Sequence, residues 1–150
     1  MRGFTLIEII IAITIAAILF AIIVSGFSGL RQNSDMNLAV DDSISFLQDA
    51  RAKTLSSVNT SAYGVHFETT KFVLFQGGTY NAGDSTNKIR LLPSTIEISA
   101  YSFNGGGSDV VFKRLTGETG SYGSVTFRQT NNPSVTKTIQ ILSTGLVSVQ

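Results

Sequence analysis

Residues 4–24 read FTLIEIIIAITIAAILFAIIV, an almost unbroken run of isoleucine, leucine, alanine, valine and phenylalanine. As an α-helix these roughly 21 residues would be about 31 Å long, which matches the ~30 Å hydrocarbon core of a bilayer. The apolar run of a secretory signal peptide is usually ~7 to 15 residues long and leads to a small-residue cleavage site. This run is longer, although Ser25-Gly26 after it would resemble such a site. The stretch therefore predicts a membrane-spanning helix, with a signal peptide as the alternative.

From Leu30 onward the apolar run gives way to an amphipathic pattern, and no proline occurs before Pro93. One face repeats at a period near 3.6 residues, as expected for a helix that covers a core. The apolar members of this face are Val40, Ile44, Leu47, Leu55 and Val58. We therefore expect the helix to continue to about residue 57, with this stripe covered by the rest of the chain.

After residue 58 the apolar residues alternate with polar ones, which is the pattern of half-buried β-strands. Tyr63–Phe67 and Phe72–Phe75, separated by Thr69-Thr70, predict a hairpin. Turns rich in glycine, asparagine and proline separate six further strand candidates: Ile89–Leu92, Ile96–Ala100, Val110–Phe112, Val125–Phe127, Thr138–Leu142 and Leu146–Val149. The sequence predicts an α+β fold, in which one long N-terminal helix, transmembrane in its first half and amphipathic in its second, packs on antiparallel β-sheet.

The composition limits the chemistry that the chain can perform. Its 150 residues suffice for one domain and an anchor, and 11 basic against 10 acidic residues give a net charge of only +1. The absence of cysteine excludes disulfides, thiolate metal sites and a cysteine nucleophile. The only histidine, His66, is out of phase with the apolar alternation, and we expect it to face solvent or a sheet neighbour. No cofactor, metal or catalytic residue is predicted, and the chain is not expected to be an enzyme.

Glu8 is a lone carboxylate near the start of the apolar helix. An acid costs ~2.5 to 3.5 kcal/mol at mid-bilayer and less near the interface, so such a residue indicates a function and a partner. No basic residue lies within helical reach of Glu8. Cleavage after Gly3 would give Phe4 a free α-amino group, and this cation would pair with Glu8 of the same or a neighbouring chain.

The segment Gly3-Phe4-Thr5-Leu6-Ile7-Glu8 and the apolar run after it resemble the processing signature of type IV pilins and type II secretion pseudopilins. The resemblance implies that a prepilin peptidase of the inner membrane cuts between Gly3 and Phe4 and N-methylates Phe4. It also implies that Glu8 neutralises the terminal amine of an adjacent subunit during filament assembly. The processing residues are therefore Gly3 and Phe4, and the assembly residue is Glu8.

The same resemblance divides the chain into a leader peptide, residues 1–3, a transmembrane and assembly helix, residues 4–29, and a globular pilin-like domain, residues 30–150. The closing strands resemble those of GspH/FimT-type minor subunits, in which the helix packs against two small β-sheets. The segments that carry this likeness are Val110-Val111-Phe112, Gly117, residues 123–127, Ile139-Gln140-Ile141 and Gly145-Leu146-Val147.

The chain departs from the family in several places. Its leader is short, Ser25 stands where many major pilins have a helix-bending proline, and the C-terminal cysteine pair of many major pilins is missing. The ligand spacing of the calcium site of major pseudopilins is also missing, so Asp84 and Asp109 are expected to be loop acids. The serine at position 25 and the missing cysteine pair favour a minor pilin or pseudopilin subunit.

The resemblance implies a structural subunit of a type IV pilus-like or type II secretion filament. Its partners would be the prepilin peptidase, other pilin or pseudopilin subunits, and lipid of the inner membrane before assembly. Before assembly it would span the bacterial inner membrane once, with the globular domain outside the cytoplasm. Afterwards it would lie in a filament at the cell surface or in the periplasm.

The alternative function is DNA binding in a competence pilus, because FimT-like subunits of some competence pili bind DNA through a basic C-terminal patch. Contacts from lysine and arginine to phosphate would suffice physically. The candidate residues are Lys113, Arg114, Arg128 and Lys137. However, no basic residue follows Lys137, so the arginine-rich C-terminal motif of those subunits is missing.

Overall fold

The computed structural model describes residues 3–150, apart from the side chains of residues 24–28. Met1 and Arg2 of the predicted leader lie outside the described residues. The first element is helix α1, Leu6–Leu55, which passes through Ser25-Gly26. The chain divides into two compact units between Ser34 and Asp35, and α1 contributes to both.

In the first unit, α1 contains a segment, Leu6–Ile23, that is long and apolar enough to cross a membrane. All of its side chains are exposed within the structure. A contiguous apolar surface of this size is rare on soluble monomers and marks a segment that is buried in a bilayer or against other chains. A helix also satisfies its own backbone hydrogen bonds in lipid, so the isoleucine-rich sequence is helical despite its β-branched side chains.

In the second unit, one face of α1 packs into the core. Val40 and Leu47 of the predicted stripe are buried, and Ile44 packs against the core from a partly buried position. Three smaller or more flexible residues extend this face: Met36, Ala39 and Ala50. The helical periodicity therefore identified the correct face of the helix for residues 40–47, whereas Leu55 near its end is 39% exposed and not buried as predicted.

The helix ends at Leu55, where the chain turns into strand β1 (Tyr63–Glu68). Ser57 has a left-handed conformation with φ 49° and is followed by the short 3₁₀ helix Val58–Thr60. The prediction that Val58 belongs to the buried helical stripe was wrong, because the left-handed turn ends the helix before it. Thr54 connects the end of the helix to the start of β1. Its buried hydroxyl donates to Ala50 O at 2.8 Å and accepts the Tyr63 N–H at 2.9 Å.

Within residues 3–150, eight strands form two antiparallel four-stranded sheets. The strands after β1 are β2 Lys71–Gln76, β3 Lys88–Leu91, β4 Ile96–Phe103, β5 Asp109–Val111, β6 Gly123–Gln129, β7 Thr136–Ile141 and β8 Val147–Val149. Sheet A has the order β3-β2-β1-β5, and sheet B has the order β4-β6-β7-β8. The predicted hairpin is β1–β2, and every predicted strand is present with ends shifted by a few residues.

The core lies between the second half of α1 and the inner faces of both sheets. Phe67 of sheet A lies at its centre, with its ring centroid 6.2 Å from that of Phe72 and 5.8 Å from that of Phe103 in sheet B. Each fully buried phenylalanine contributes about 1.5 to 3 kcal/mol relative to an exposed one. The aromatic residues of the alternating segments therefore join the two sheets and the helix into one hydrophobic core.

Arg51 of α1 joins two loops to the helix. Its Nε donates to the carbonyl oxygen of Gly117 at 3.0 Å, and its Nη2 donates to that of Thr144 at 3.4 Å. Gly145 in the β7–β8 turn has φ +79°, and a Cβ atom there would lie 2.0 Å from the Gly117 oxygen. The two loops approach so closely that position 145 requires glycine.

Candidate processing and assembly site

The predicted cleavage bond lies in the short non-helical segment that precedes α1. Among the described residues beyond Phe4, no heavy atom comes within 4 Å of where a Cβ atom of Gly3 would be. The Phe4 side chain is 80% exposed. Exposed segments with few backbone hydrogen bonds are the usual sites of proteolysis. The bond between Gly3 and Phe4 is therefore accessible to a peptidase, and its cleavage stays a prediction.

Thr5 and Glu8 form a reciprocal cap at the start of α1. Thr5 Oγ1 accepts the Glu8 backbone N–H at 3.4 Å, and Glu8 Oε2 accepts the Thr5 backbone N–H at 3.5 Å. This capping box gives the Thr5 N–H a partner, whereas the Glu8 N–H also donates to Thr5 O at 3.1 Å. Both side-chain bonds are long. Sequence reasoning missed this role of Glu8, even though the Thr-x-x-Glu spacing is its known sequence pattern.

The surroundings of Glu8 are otherwise apolar. A shallow cleft of about 210 Å³ is lined by Phe4, Glu8, Ile9, Ala12 and Ile13. Among the residues that the structure describes, no ion pair involves Glu8. A carboxylate among apolar side chains is stabilised by an opposite charge once the surrounding surface is buried. The cleft is therefore suited to an amine from a second chain.

The four basic residues of the DNA-binding alternative lie in separate parts of the fold. Lys113 and Arg114 are exposed in the segment between β5 and β6. This segment is closed by a hydrogen bond from the Lys113 N–H to Glu118 O at 2.7 Å. Arg128 lies on β6 and Lys137 on β7.

The strand register places Arg128 and Lys137 on opposite faces of sheet B. Lys137 lies directly opposite Phe127, so both side chains point to the inner face, whereas Arg128 is the next residue and points outward. Each cation also has a partner: Arg128 Nε donates to Glu97 Oε1 and Lys137 Nζ donates to Asn37 Oδ1, both at 2.6 Å. The fold does not bring these two residues into one basic patch.

His66 is the centre of a polar cluster on the outer face of sheet A. Its Nδ1 lies 2.5 Å from Asp109 Oδ1 and 3.3 Å from Ser108 Oγ, and its Nε2 lies 3.5 Å from Glu68 Oε1. Its ring stacks on Tyr80 with centroids 3.9 Å apart. The serine and the aspartate share one ring nitrogen, so His66 does not connect them as the base of a catalytic triad does. The cluster instead holds the loop that carries Tyr80 against the sheet.

The two acids predicted for loops have different partners. Asp84 Oδ1 accepts the backbone N–H and the hydroxyl of Thr86, both at 2.8 Å. The backbone hydrogen bond and then the hydroxyl lower the pKa of Asp84 from its ordinary value. Asp109 contacts His66 and is the first residue of β5 rather than a loop residue. Within residues 3–150, no three His, Asp or Glu side chains are arranged to hold a metal.

Residues 1–24 match the family model of the prokaryotic N-terminal methylation motif. No curated protein sequence matches the chain. The fold is similar to the minor pseudopilin EpsH of the type 2 secretion system of Vibrio cholerae, with a TM-score of 0.58 and 10% identity over 77% of this chain and 96% of that one. It is also similar to the type IV minor pilin FimU of Pseudomonas aeruginosa, with a TM-score of 0.57 and 12% identity over 79% of this chain and 90% of that one.

At these identities the likeness is one of fold, and it confirms the predicted arrangement of a long N-terminal helix with antiparallel sheets. Pilins and pseudopilins are structural filament subunits rather than enzymes. The predicted resemblance rests on two independent observations, the motif at the start of the chain and the architecture of the remainder. The chain thus carries a prokaryotic N-terminal methylation motif on the fold of GspH/FimT-type minor pilins and pseudopilins.

Proposed function

We propose that the chain is a minor structural subunit of a type IV pilus-like or type II secretion filament. The observation that carries this proposal is the methylation motif at the start of an exposed helical segment of membrane-spanning length, in a chain whose fold is similar to that of minor pilins. Each part has a separate purpose: the motif for processing, the helix for anchoring and assembly, and the sheets for display outside the filament core.

Before assembly the helix spans the bacterial inner membrane once, with the globular domain outside the cytoplasm. The prepilin peptidase cuts between Gly3 and Phe4 and methylates the new amine. Methylation leaves the amine basic, so the mature end keeps its positive charge. In the filament, apolar helices leave the lipid and bury their surfaces against one another, largely through close packing of side chains.

Glu8 contributes an ion pair to this assembly. Its carboxylate pairs with the Phe4 amine of a neighbouring subunit, inside the cluster of apolar helices. The apolar cleft around Glu8 and the absence of an ion pair to it within residues 3–150 support this role. A pair of this kind fixes the register of the incoming helix, because each charge is costly to bury without the other.

We expect the mature protein from cells with an active prepilin peptidase to begin at N-methylated Phe4. The reason is that the Gly3-Phe4 bond is exposed and precedes the helix. Intact-mass spectrometry should show the loss of residues 1–3 and the gain of one methyl group. Cells without the peptidase are the control and should retain Gly3. A mature start near Gly26 would instead establish the signal-peptide alternative, and full-length protein in peptidase-positive cells would contradict processing.

We expect the full-length protein in detergent not to bind duplex DNA at micromolar concentration. The candidate cations are divided between a loop and two faces of sheet B, and Arg128 and Lys137 already have partners in the fold. Gel-shift titrations at low and physiological salt measure this, because phosphate contacts weaken steeply as salt rises. Micromolar binding that is lost in the Arg114→Ala, Arg128→Ala double variant would establish the DNA-binding alternative.

A further inference from the structure

Strand β3 forms one edge of sheet A, and β2 is its only neighbour among the described strands. A strand at such an edge leaves a row of backbone N–H and C=O groups without partners in the sheet, and another chain can pair with them. The strand reads Lys88-Ile89-Arg90-Leu91, in which basic and apolar side chains alternate. Two features of β3 indicate what could bind there: which of its residues leave their backbone groups free, and which side chains lie on each face of the sheet.

The hydrogen bonds of β3 show which residues have outward-pointing backbone groups. The N–H of Leu92, just after the strand, donates to Thr70 O at 2.9 Å. Along an antiparallel pair, positions that exchange hydrogen bonds alternate with positions that do not. The even-numbered positions of β3 therefore bond to β2, and the N–H and C=O groups of Ile89 and Leu91 point to the free edge.

The same two residues also present apolar side chains on the outer face of sheet A. Ile89 lies opposite Val73 and is 59% exposed, and Leu91 lies opposite Lys71 and is 69% exposed. Open backbone groups and exposed apolar side chains thus coincide at Ile89 and Leu91, which are two positions apart. An added strand would hydrogen-bond to both and cover both side chains.

The basic side chains of β3 point to the other face, toward α1. Arg90 Nε donates to Asp42 Oδ2 at 2.6 Å, and Lys88 Nζ lies 3.9 Å from Asp49 Oδ2. Natural edge strands often use lysine to repel an incoming strand. Here Asp42 of the helix holds Arg90 beside the sheet, and Lys88 lies on the same face. Neither cation therefore lies over the backbone groups of the free edge.

The charges next to this edge favour an acidic partner. Three cations, Lys53, Lys88 and Arg90, share two carboxylates, Asp42 and Asp49. Lys53 lies 2.7 Å from Asp49, so Lys88 is the less tightly paired of the two lysines. Arg90 pairs with Asp42, and the two lysines share Asp49. The two groups together have one positive charge in excess, on the face of sheet A where the helix-facing side chains of an added strand would lie.

We propose that the free edge of β3 binds an extended, acidic segment of another polypeptide as an additional strand of sheet A. The segment alternates, with apolar side chains beside Ile89 and Leu91 and acidic side chains beside Lys88 and Arg90. This goes beyond the proposed filament function, because it assigns the globular domain a partner that the helix does not contact.

A second copy of β3 does not satisfy these requirements. An antiparallel register that places Ile89 opposite Leu91 of the other copy also places the two Arg90 residues opposite each other. Placing the two Ile89 residues opposite each other sets Lys88 against Arg90, and a shift by one residue sets apolar against charged side chains. Like charges directly opposite are destabilising, so the partner is a different sequence.

The binding test uses the full-length protein in detergent and a labelled peptide of sequence Thr-Val-Glu-Val-Glu-Val-Thr. The matched control peptide has lysine in place of both glutamates. Fluorescence anisotropy should show saturable binding of the acidic peptide, and about tenfold weaker binding of the basic one because its charges meet like charges. Amide hydrogen exchange at Ile89 and Leu91 should slow on binding. Absence of binding, or equal binding of both peptides, would overturn the proposal.

The variant Ile89→Pro tests whether the peptide binds at the free edge of β3. Proline removes an N–H that points away from β2, so it blocks the added strand without deleting a hydrogen bond of the sheet. We expect about tenfold weaker binding of the acidic peptide. Ile89→Ser removes the apolar contact and changes neither the backbone nor the charge, so it should also weaken binding. It replaces the proline variant if circular dichroism shows that the proline variant misfolds. Leu115→Ala, at an exposed residue outside the strands, is the control. Unchanged binding in the Ile89 variants would show that the peptide does not bind to the edge of β3. That result would leave the proposed filament function untouched, because assembly depends on the N-terminal helix.

Discussion

The variant Glu8→Val is expected to insert into the membrane normally and to be almost absent from filaments. Valine makes the span more apolar, which favours insertion. In the filament it leaves the Phe4 amine of a neighbouring subunit without its carboxylate, and removing one partner of a buried ion pair costs about 3 to 5 kcal/mol. Such a cost lowers the equilibrium for incorporation by more than about a hundredfold. Immunoblots of membrane fractions and of sheared filaments measure the two quantities separately.

Two matched variants separate charge pairing from helix capping, the two roles that Glu8 can have. Glu8→Gln retains an oxygen for the Thr5 N–H but loses the charge, so we expect it to assemble as poorly as Glu8→Val. Thr5→Ala removes half of the cap, keeps the carboxylate and costs about 0.5 to 2 kcal/mol of helix stability, so it should assemble far better. Normal filaments from Glu8→Gln would show that capping is sufficient and that the ion pair is not needed.

Gly145→Ala is expected to destabilise the globular unit by about 3 to 5 kcal/mol, a large part of the ~5 to 15 kcal/mol that stabilises a typical domain. The left-handed φ of +79° costs an alanine about 1 kcal/mol. In addition, the new Cβ would lie 2.0 Å from Gly117 O and 2.8 Å from Arg51 Nε. Relief of this overlap requires the two loops to separate, which breaks the hydrogen bond of Arg51 to Gly117.

Thermal melting followed by the near-ultraviolet circular dichroism of the tyrosines reports on the globular unit without interference from the anchor. Gly78→Ala is the matched control, since nothing lies within 4 Å of its Cβ position. We expect its melting temperature to stay within a few degrees of the unchanged protein, because open surface positions rarely change stability by more than about 0.5 kcal/mol. Similar melting of the two alanine variants would show that the contact between residues 117 and 145 is not required.

Local features of the fold were predictable because each depends on a few neighbouring residues. The alternation in Tyr63–Phe67 gave strand β1, and the period of 3.6 in the second half of the helix gave its buried face. The end of the helix was less predictable. The residue that begins the left-handed turn is Ser57, not the glycine or asparagine that usually signals such a turn. The apolar pattern therefore extended the buried stripe to Val58, which the structure places outside the helix.

Long-range contacts were not predictable from periodicity. His66 and Asp109 are 43 positions apart, and Arg51 and Gly117 are 66 apart. Such pairs depend on which strands become neighbours in a sheet, and single-sequence patterns do not encode the order of strands. The processing and assembly residues, in contrast, could be predicted from the sequence, because Gly3, Phe4 and Glu8 lie within one continuous motif.

The position of Glu8 in the first turn of α1 has an electrostatic consequence for the mature subunit. The aligned peptide groups of α1 form a macrodipole that carries about half a positive charge at this end of the helix. Cleavage before Phe4 would add a full positive charge at the same pole. Glu8, in the first turn, then opposes both charges of its own helix as well as any amine that arrives from outside. Without it, parallel helices brought together would present repelling positive poles to one another, and the repulsion would grow with each subunit that joined.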